Sequence, residues 1–104
     1  MSLGDIGKSS LIDINLPAGS IQGGVEHPLP AYTEWTLCLK AGAAADVTVE
    51  LSPDGGTTWY EVDESAVTFG SAGDKVLSMS YQANRIKLTG NNTADITAQV
   101  RGVF

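Results

Sequence analysis

Apolar residues recur at every second position along most of this chain. Ile12, Ile14 and Leu16 alternate with Leu11, Asp13 and Asn15, and Trp35, Leu37 and Leu39 with Glu34, Thr36, Cys38 and Lys40. Val47, Val49 and Leu51 alternate with Asp46, Thr48 and Glu50, and Trp59, Glu61 and Asp63 with Tyr60 and Val62. Further on, Leu77, Met79 and Tyr81 alternate with Ser78 and Ser80, Ile86 and Leu88 with Arg85 and Lys87, and Ile96, Ala98 and Val100 with Thr97, Gln99 and Arg101. A period of two puts one set on each face of a pleated strand, and β-branched and aromatic residues crowd these runs as such a surface favours. Twelve glycines and four prolines interrupt the chain, and the long stretches free of both, 57–69 and 74–89, hold no 3.6-residue apolar period. The pattern predicts an all-β domain of about seven or eight short strands, an antiparallel β-sandwich or jelly roll. Parallel βαβ units are excluded because no crossover helix is in view.

The ends and breaks refine this. Gly4, Gly7, Ser9 and Ser10 precede the first alternating run, so residues 1–10 read as an extended N-terminal arm and 11–104 as one β-sandwich domain. Pro28 and Pro30 have no N–H for a ladder, which makes 26–31 an irregular connection or an edge. The in/out phase slips by one residue between Tyr81 and Ile86, around Gln82-Ala83-Asn84, as a short turn or a bulge would make it do.

Length and charge narrow the class. A chain of 104 residues has room for one thin core. Charged residues make up 17%, twelve acidic against six basic, for a formal net charge of −6. Lys8, Lys40, Lys75, Arg85, Lys87 and Arg101 are scattered, so the footprint that neutralises phosphates is missing; nucleic acid and anionic membrane are not expected partners. No run approaches the ~20 apolar residues of a membrane span, and the first residues lack the apolar stretch of a signal peptide. The expectation is a soluble chain made in the cytosol.

Candidate chemistry is sparse. Cys38 stands alone, so no intrachain disulfide forms, and it reads as a small buried residue or one on the opposite strand face. His27, the single histidine, lies between Glu26 and Pro28 with no ligand-spaced Cys or His nearby, and is expected to be a solvated loop residue. The acids are mostly single, without the repeated aspartates of a calcium loop. Asn91-Asn92-Thr93 is a glycosylation sequon with no secretory route to use it. No catalytic residue, metal site or cofactor is expected, and the chain reads as a non-enzyme. Among the aromatics, Trp35 is phased with Leu37 and Leu39 and belongs inside, while Tyr32 and Tyr60 are the surface candidates, a platform on which a sugar would stack.

Ser52-Pro-Asp-Gly-Gly-Thr-Thr-Trp59 is the most specific string. Asp54 is placed to accept backbone N–H bonds within a turn, and Gly55 and Gly56 supply positive φ. The string resembles the Asp-box of sialidases and other β-propellers, in which the box is a fold-stabilising hairpin without catalytic residues. The resemblance implies that Trp59 staples the hairpin to the core, against the alternation that groups it with Glu61 and Asp63. One copy in a short chain excludes a propeller. From residue 47 to 104, the hairpin VELSPDGGTTWYEV, the strand YQANRIKLTG and the closing ITAQVRGVF resemble small β-sandwich virion proteins of tailed bacteriophages, of the head-decoration (cement), head–tail or tail accessory type. That resemblance implies a virion structural protein that stabilises a phage head by bridging capsomers. A tail or neck adaptor and a carbohydrate-binding module are the alternatives. The implied partners are the major capsid protein or other virion proteins and further copies of the chain as a homo-oligomer. In this role the arm reaches over neighbouring subunits, with Leu3 and Ile6 as its large apolar contacts.

Overall fold

In the computed structural model, residues 9–17, 24–90 and 94–103 are described. Nine strands run through them: β1 (Ser9–Leu16), β2 (Val25–Pro28), β3 (Glu34–Ala41), β4 (Ala45–Ser52), β5 (Tyr60–Glu61), β6 (Val67–Phe69), β7 (Gly73–Met79), β8 (Arg85–Gly90) and β9 (Ile96–Val103). They form two antiparallel sheets. The first, sheet A, has the order β1-β9-β3-β7; in the second, sheet B, the order is β2-β8-β4-β5, with β6 also paired to β4. The all-β sandwich expected from the alternation is what the chain builds.

Alternation explains the core directly. In β9 every second residue from Ile96 is buried, and β3 and β4 turn Trp35, Leu37, Leu39, Val47, Val49 and Leu51 inward. Leu37 stands opposite Val100 within sheet A and Val49 opposite Leu88 within sheet B, all four fully buried. Each such side chain contributes about 1.5–3 kcal/mol through apolar area withdrawn from water.

The breaks resolve in physical terms. The phase slip after Tyr81 is a change of sheet: β7 ends at Met79 in sheet A, β8 begins at Arg85 in sheet B, and residues 80–84 cross between them. The crossing is tied down by Asn84, whose N–H donates to the Ser52 carbonyl (2.9 Å) and whose carbonyl accepts from Leu29 N–H (2.9 Å). The proline-bearing stretch contains an edge strand, β2, which ends on Pro28 opposite Arg85. His27 therefore sits half-buried on β2 and not in a solvated loop, with Nδ1 donating to the Pro28 carbonyl at 2.6 Å.

The run expected at 59–63 is ordered as a strand over Tyr60 and Glu61 alone. Beyond them the chain swings away and returns as β6, a strand too short for alternation to announce. Residues 62–66 interrupt the ladder, yet Val49 loses neither backbone bond: its carbonyl accepts from Val62 N–H (3.1 Å) and its N–H donates to the Ser65 hydroxyl (3.0 Å). A side-chain oxygen stands in for the missing carbonyl, as a buried backbone donor requires. At the other end, β1 opens at Ser9, inside the stretch assigned to the arm. Leu3, Ile6 and the sequon at Asn91 lie outside the described residues.

Candidate functional site

Three surfaces carry the side chains that face outward. The first is the outer face of sheet A. Its register places Asp13, Gln99, Cys38 and Val76 in one row across the four strands, Leu11, Arg101, Thr36 and Ser78 in the next, and Asn15, Thr97, Lys40 and Asp74 in a third. Gln99 Nε2 donates to Asp13 at 2.9 Å, and Lys40 lies 4.0 Å from Asp74 with both side chains largely in water. Cys38 is half-buried on this face, in agreement with its position opposite Leu37 and Leu39 in the alternation. The face mixes hydrogen-bonding side chains with the exposed apolar Leu11, Val76 and Val103, and among the described residues it carries no aromatic ring on which a ligand could stack.

The second surface is the outer face of sheet B beneath the 52–59 turn. Ser52 is the residue around which the turn is wound. It is fully buried; its hydroxyl donates to Asp54 Oδ1 (2.8 Å) and accepts from the N–H groups of Gly56 (2.8 Å) and Asp54 (3.3 Å). Asp54 Oδ1 also accepts from Thr58 N–H at 2.8 Å, and Gly55 N–H donates to the Asn84 side chain at 2.8 Å. Gly55 and Gly56 have φ of 77° and 102°, the left-handed region expected of them. The turn residues thus have the roles read from the sequence.

Trp59 does not. It is half-exposed, with Lys87 Nζ 4.5 Å from its ring centroid, and therefore covers the outside of sheet B instead of stapling the hairpin to the core. Alternation had grouped it with Glu61, and that grouping is the correct one. Lys87 reaches Glu50 at 3.9 Å and Arg85 reaches Glu26 at 3.4 Å, so the ring closes over a small ionic patch.

The Thr58 N–H and the Ser52 hydroxyl hold the Asp54 carboxyl below its ordinary value of 3.8. A carboxylate with a lowered folded-state pKa stabilises the fold above its unfolded pKa, and that contribution is lost as pH falls through the folded value. The melting-temperature gap between the native chain and Asp54→Asn is expected to hold from about pH 6 down to about pH 4 and to close below it. A gap that stays constant down to about pH 2 would show that Asp54 titrates as it does in the unfolded chain.

The third surface is a groove of about 190 Å³ on the flank of the sandwich, between β5 and the 80–84 crossing. Leu51, Val62 and Ala83 line its apolar part, and Tyr60 and Tyr81 add rings to it. Tyr60 is 61% exposed, as expected of it. Tyr81 is half-buried and fixed at both ends: its carbonyl accepts from Trp35 Nε1 (2.9 Å), and its hydroxyl donates to Glu64 (2.9 Å). That bond, burial, and the negative charges of Glu64 and Asp63 push the phenol above its ordinary range.

Tyr32, the other aromatic expected at the surface, is buried at 4% exposure, so the structure corrects that placement. Its ring lies flat on the backbone of Gly102, where the lack of a side chain on β9 leaves a slot. The stacking pair of Tyr32 and Tyr60 proposed for a sugar is therefore not assembled. The groove brings Tyr60 together with Tyr81, Glu61 and Asp63 instead. The signal for it was the run Tyr60-Glu61-Val62-Asp63-Glu64, where acids are concentrated and not scattered. Among the described residues, no group of three or more His, Cys, Asp or Glu side chains is placed to hold a metal ion.

The molecule these observations define is a small two-sheet antiparallel β-sandwich. Among solved structures it is similar to a chain described as "Bacillus endospore appendages form a novel family of disulfide-linked pili", with a TM-score of 0.47 and 10% identity, covering 92% of this chain and 87% of that one. Nothing about that protein's assembly or chemistry is carried across. No family model and no curated protein matches the sequence.

Proposed function

We propose that this domain is a structural component of a tailed-bacteriophage particle, a decoration (cement) protein that bridges capsomers and carries out no reaction. In this reading it is made in the host cytoplasm and resides in the virion, in contact with the major capsid protein and with further copies of itself. The proposal starts from the hairpin and strand strings of the C-terminal half. The observation that carries it furthest is the form of sheet A, which ends on long strands at both margins, β1 with eight residues and β7 with seven, and whose outer face, polar with exposed Leu11, Val76 and Val103, is uncovered among the described residues. Such a sheet suits lateral packing against other subunits. The burial of Tyr32 removes the main support for a sugar-binding module.

The N-terminal residues supply the test. Deleting residues 1–8 leaves all of β1 in place to pair with β9. Thermal unfolding is expected to stay within a few degrees of the full chain, about what a loss under ~1 kcal/mol produces in a domain of this size. Occupancy on purified particles is expected to fall, because Leu3 and Ile6 would each contribute about 1.5–3 kcal/mol if buried on a neighbour. A truncated chain that decorates particles at full occupancy would count against the clamp.

A further inference from the structure

The groove between β5 and the 80–84 crossing combines features that recognise one kind of chemistry. Leu51 and Val62, each 6% exposed, form an apolar floor. Tyr60 presents its ring to solvent over that floor, and Tyr81 is held opposite by its bonds to Trp35 and Glu64. Asp63 stands exposed at the rim, whereas Glu61, opposite Glu50 in the ladder, turns to the outer face of sheet B. Among the described residues the ion pairs join Lys40 with Asp74, Arg85 with Glu26 and Lys87 with Glu50, so Asp63 is paired with no described cation.

We propose that this groove receives an arginine side chain presented by a partner protein. The aliphatic stem lies on Leu51 and Val62, the guanidinium stacks on the exposed Tyr60 ring, and Asp63 accepts its N–H donors. Arginine fits better than lysine because its planar, weakly hydrated head combines ring stacking with forked hydrogen bonding to carboxylates. A long cationic side chain also buries its stem while its head stays at the polar rim. The chain already places a cation on an aromatic ring within itself, Lys87 over Trp59. A neutral saccharide would find the rings but would have no use for the Asp63 carboxylate. The assignment does not depend on which particle the domain serves.

The test uses the full chain and NMR titration with acetyl-Gly-Arg-Gly-amide, the same peptide with Gln for Arg, and maltose. The arginine peptide is expected to cause saturable shifts of the Tyr60 and Tyr81 ring signals and the Val62 and Ala83 amides. Tyr60→Ala should weaken this binding by roughly 2- to 30-fold, the range of an exposed to a desolvated cation–ring contact, while Tyr60→Phe, which keeps the ring, should bind as the native chain does. Asp63→Asn, or an ionic strength near ~1 M, should also weaken it, since screening then acts within about 3 Å. Because Tyr60 is so exposed, its variants are expected to melt with the native protein, and that separates lost binding from lost folding. Equal shifts with the glutamine peptide, or maltose shifting these residues while arginine does not, would overturn the proposal. So would the absence of any saturable response, or Tyr60→Phe binding as poorly as Tyr60→Ala.

Discussion

Gly102→Val is expected to destabilise the protein by about 3–5 kcal/mol, the range for removing a buried aromatic side chain from its site. Any Cβ at position 102 would lie within the Tyr32 ring, which rests directly on the glycine. The backbone that carries the ring is held in place. Tyr32 N–H donates to the Pro30 carbonyl (2.7 Å), and both the N–H and the hydroxyl of Thr33 donate to the Val103 carbonyl (2.9 and 3.1 Å), so residues 30–33 are clamped to the end of β9. The ring must leave its slot or the β9 backbone must move away from β3 and β1. Chemical denaturation measures the loss. Tyr32→Ala should cost a similar amount alone, and the double variant much less than the sum, because the clash disappears with the ring. Additive losses would mean that the two residues do not share a site.

The second large effect is at Trp35. It is 3% exposed, on β3 opposite Gly102 and Met79, and donates Nε1–H to the Tyr81 carbonyl. Trp35→Ala is expected to cost about 3–5 kcal/mol through the cavity it leaves. Trp35→Phe tests the hydrogen bond separately: most of the apolar volume stays, but the Tyr81 carbonyl loses its donor, at a cost of about 1–3 kcal/mol. Because that bond anchors the crossing that carries Tyr81, amide exchange across 80–84 should quicken in Trp35→Phe more than exchange in the paired centre of β9. A uniform rise in exchange throughout the domain would assign Trp35 to global stability alone.

The alternation of Ile96, Ala98 and Val100 or of Val47, Val49 and Leu51 was sufficient to place the core, because a half-buried strand writes its two faces into sequence. β5 and β6 left weak traces, since two or three residues cannot establish a period and Ser65 completes the ladder with a side chain that pattern does not register. Asp54, Gly55 and Gly56 were legible because each turn role demands a particular residue type. Tyr32 was misread because its neighbours form no strand, and its burial depends on an empty position seventy residues away on β9. Trp59 shows the reverse: the local period placed it outside, and likeness to a hairpin elsewhere placed it inside. The groove was only half legible. The acidic run beside Tyr60 is visible in the chain, but Tyr81 reaches it through a crossing between sheets.

The margins of the two sheets differ in what they offer an incoming strand. Sheet B is bordered by strands of four, two and three residues, one ending on a proline that has no donor and two parted by the bulge that Ser65 closes. A foreign strand would find only a fragment of ladder there. Sheet A offers seven or eight consecutive backbone positions at each border. They are not equivalent, because β7 carries Lys75 on the side facing the core, a charge that discourages a neighbour from stacking, whereas β1 turns Ile12, Ile14 and Leu16 inward with no charge among them. Among the described residues, the β1 border is thus the longest backbone edge of the domain that carries neither a proline nor an inward-facing charge.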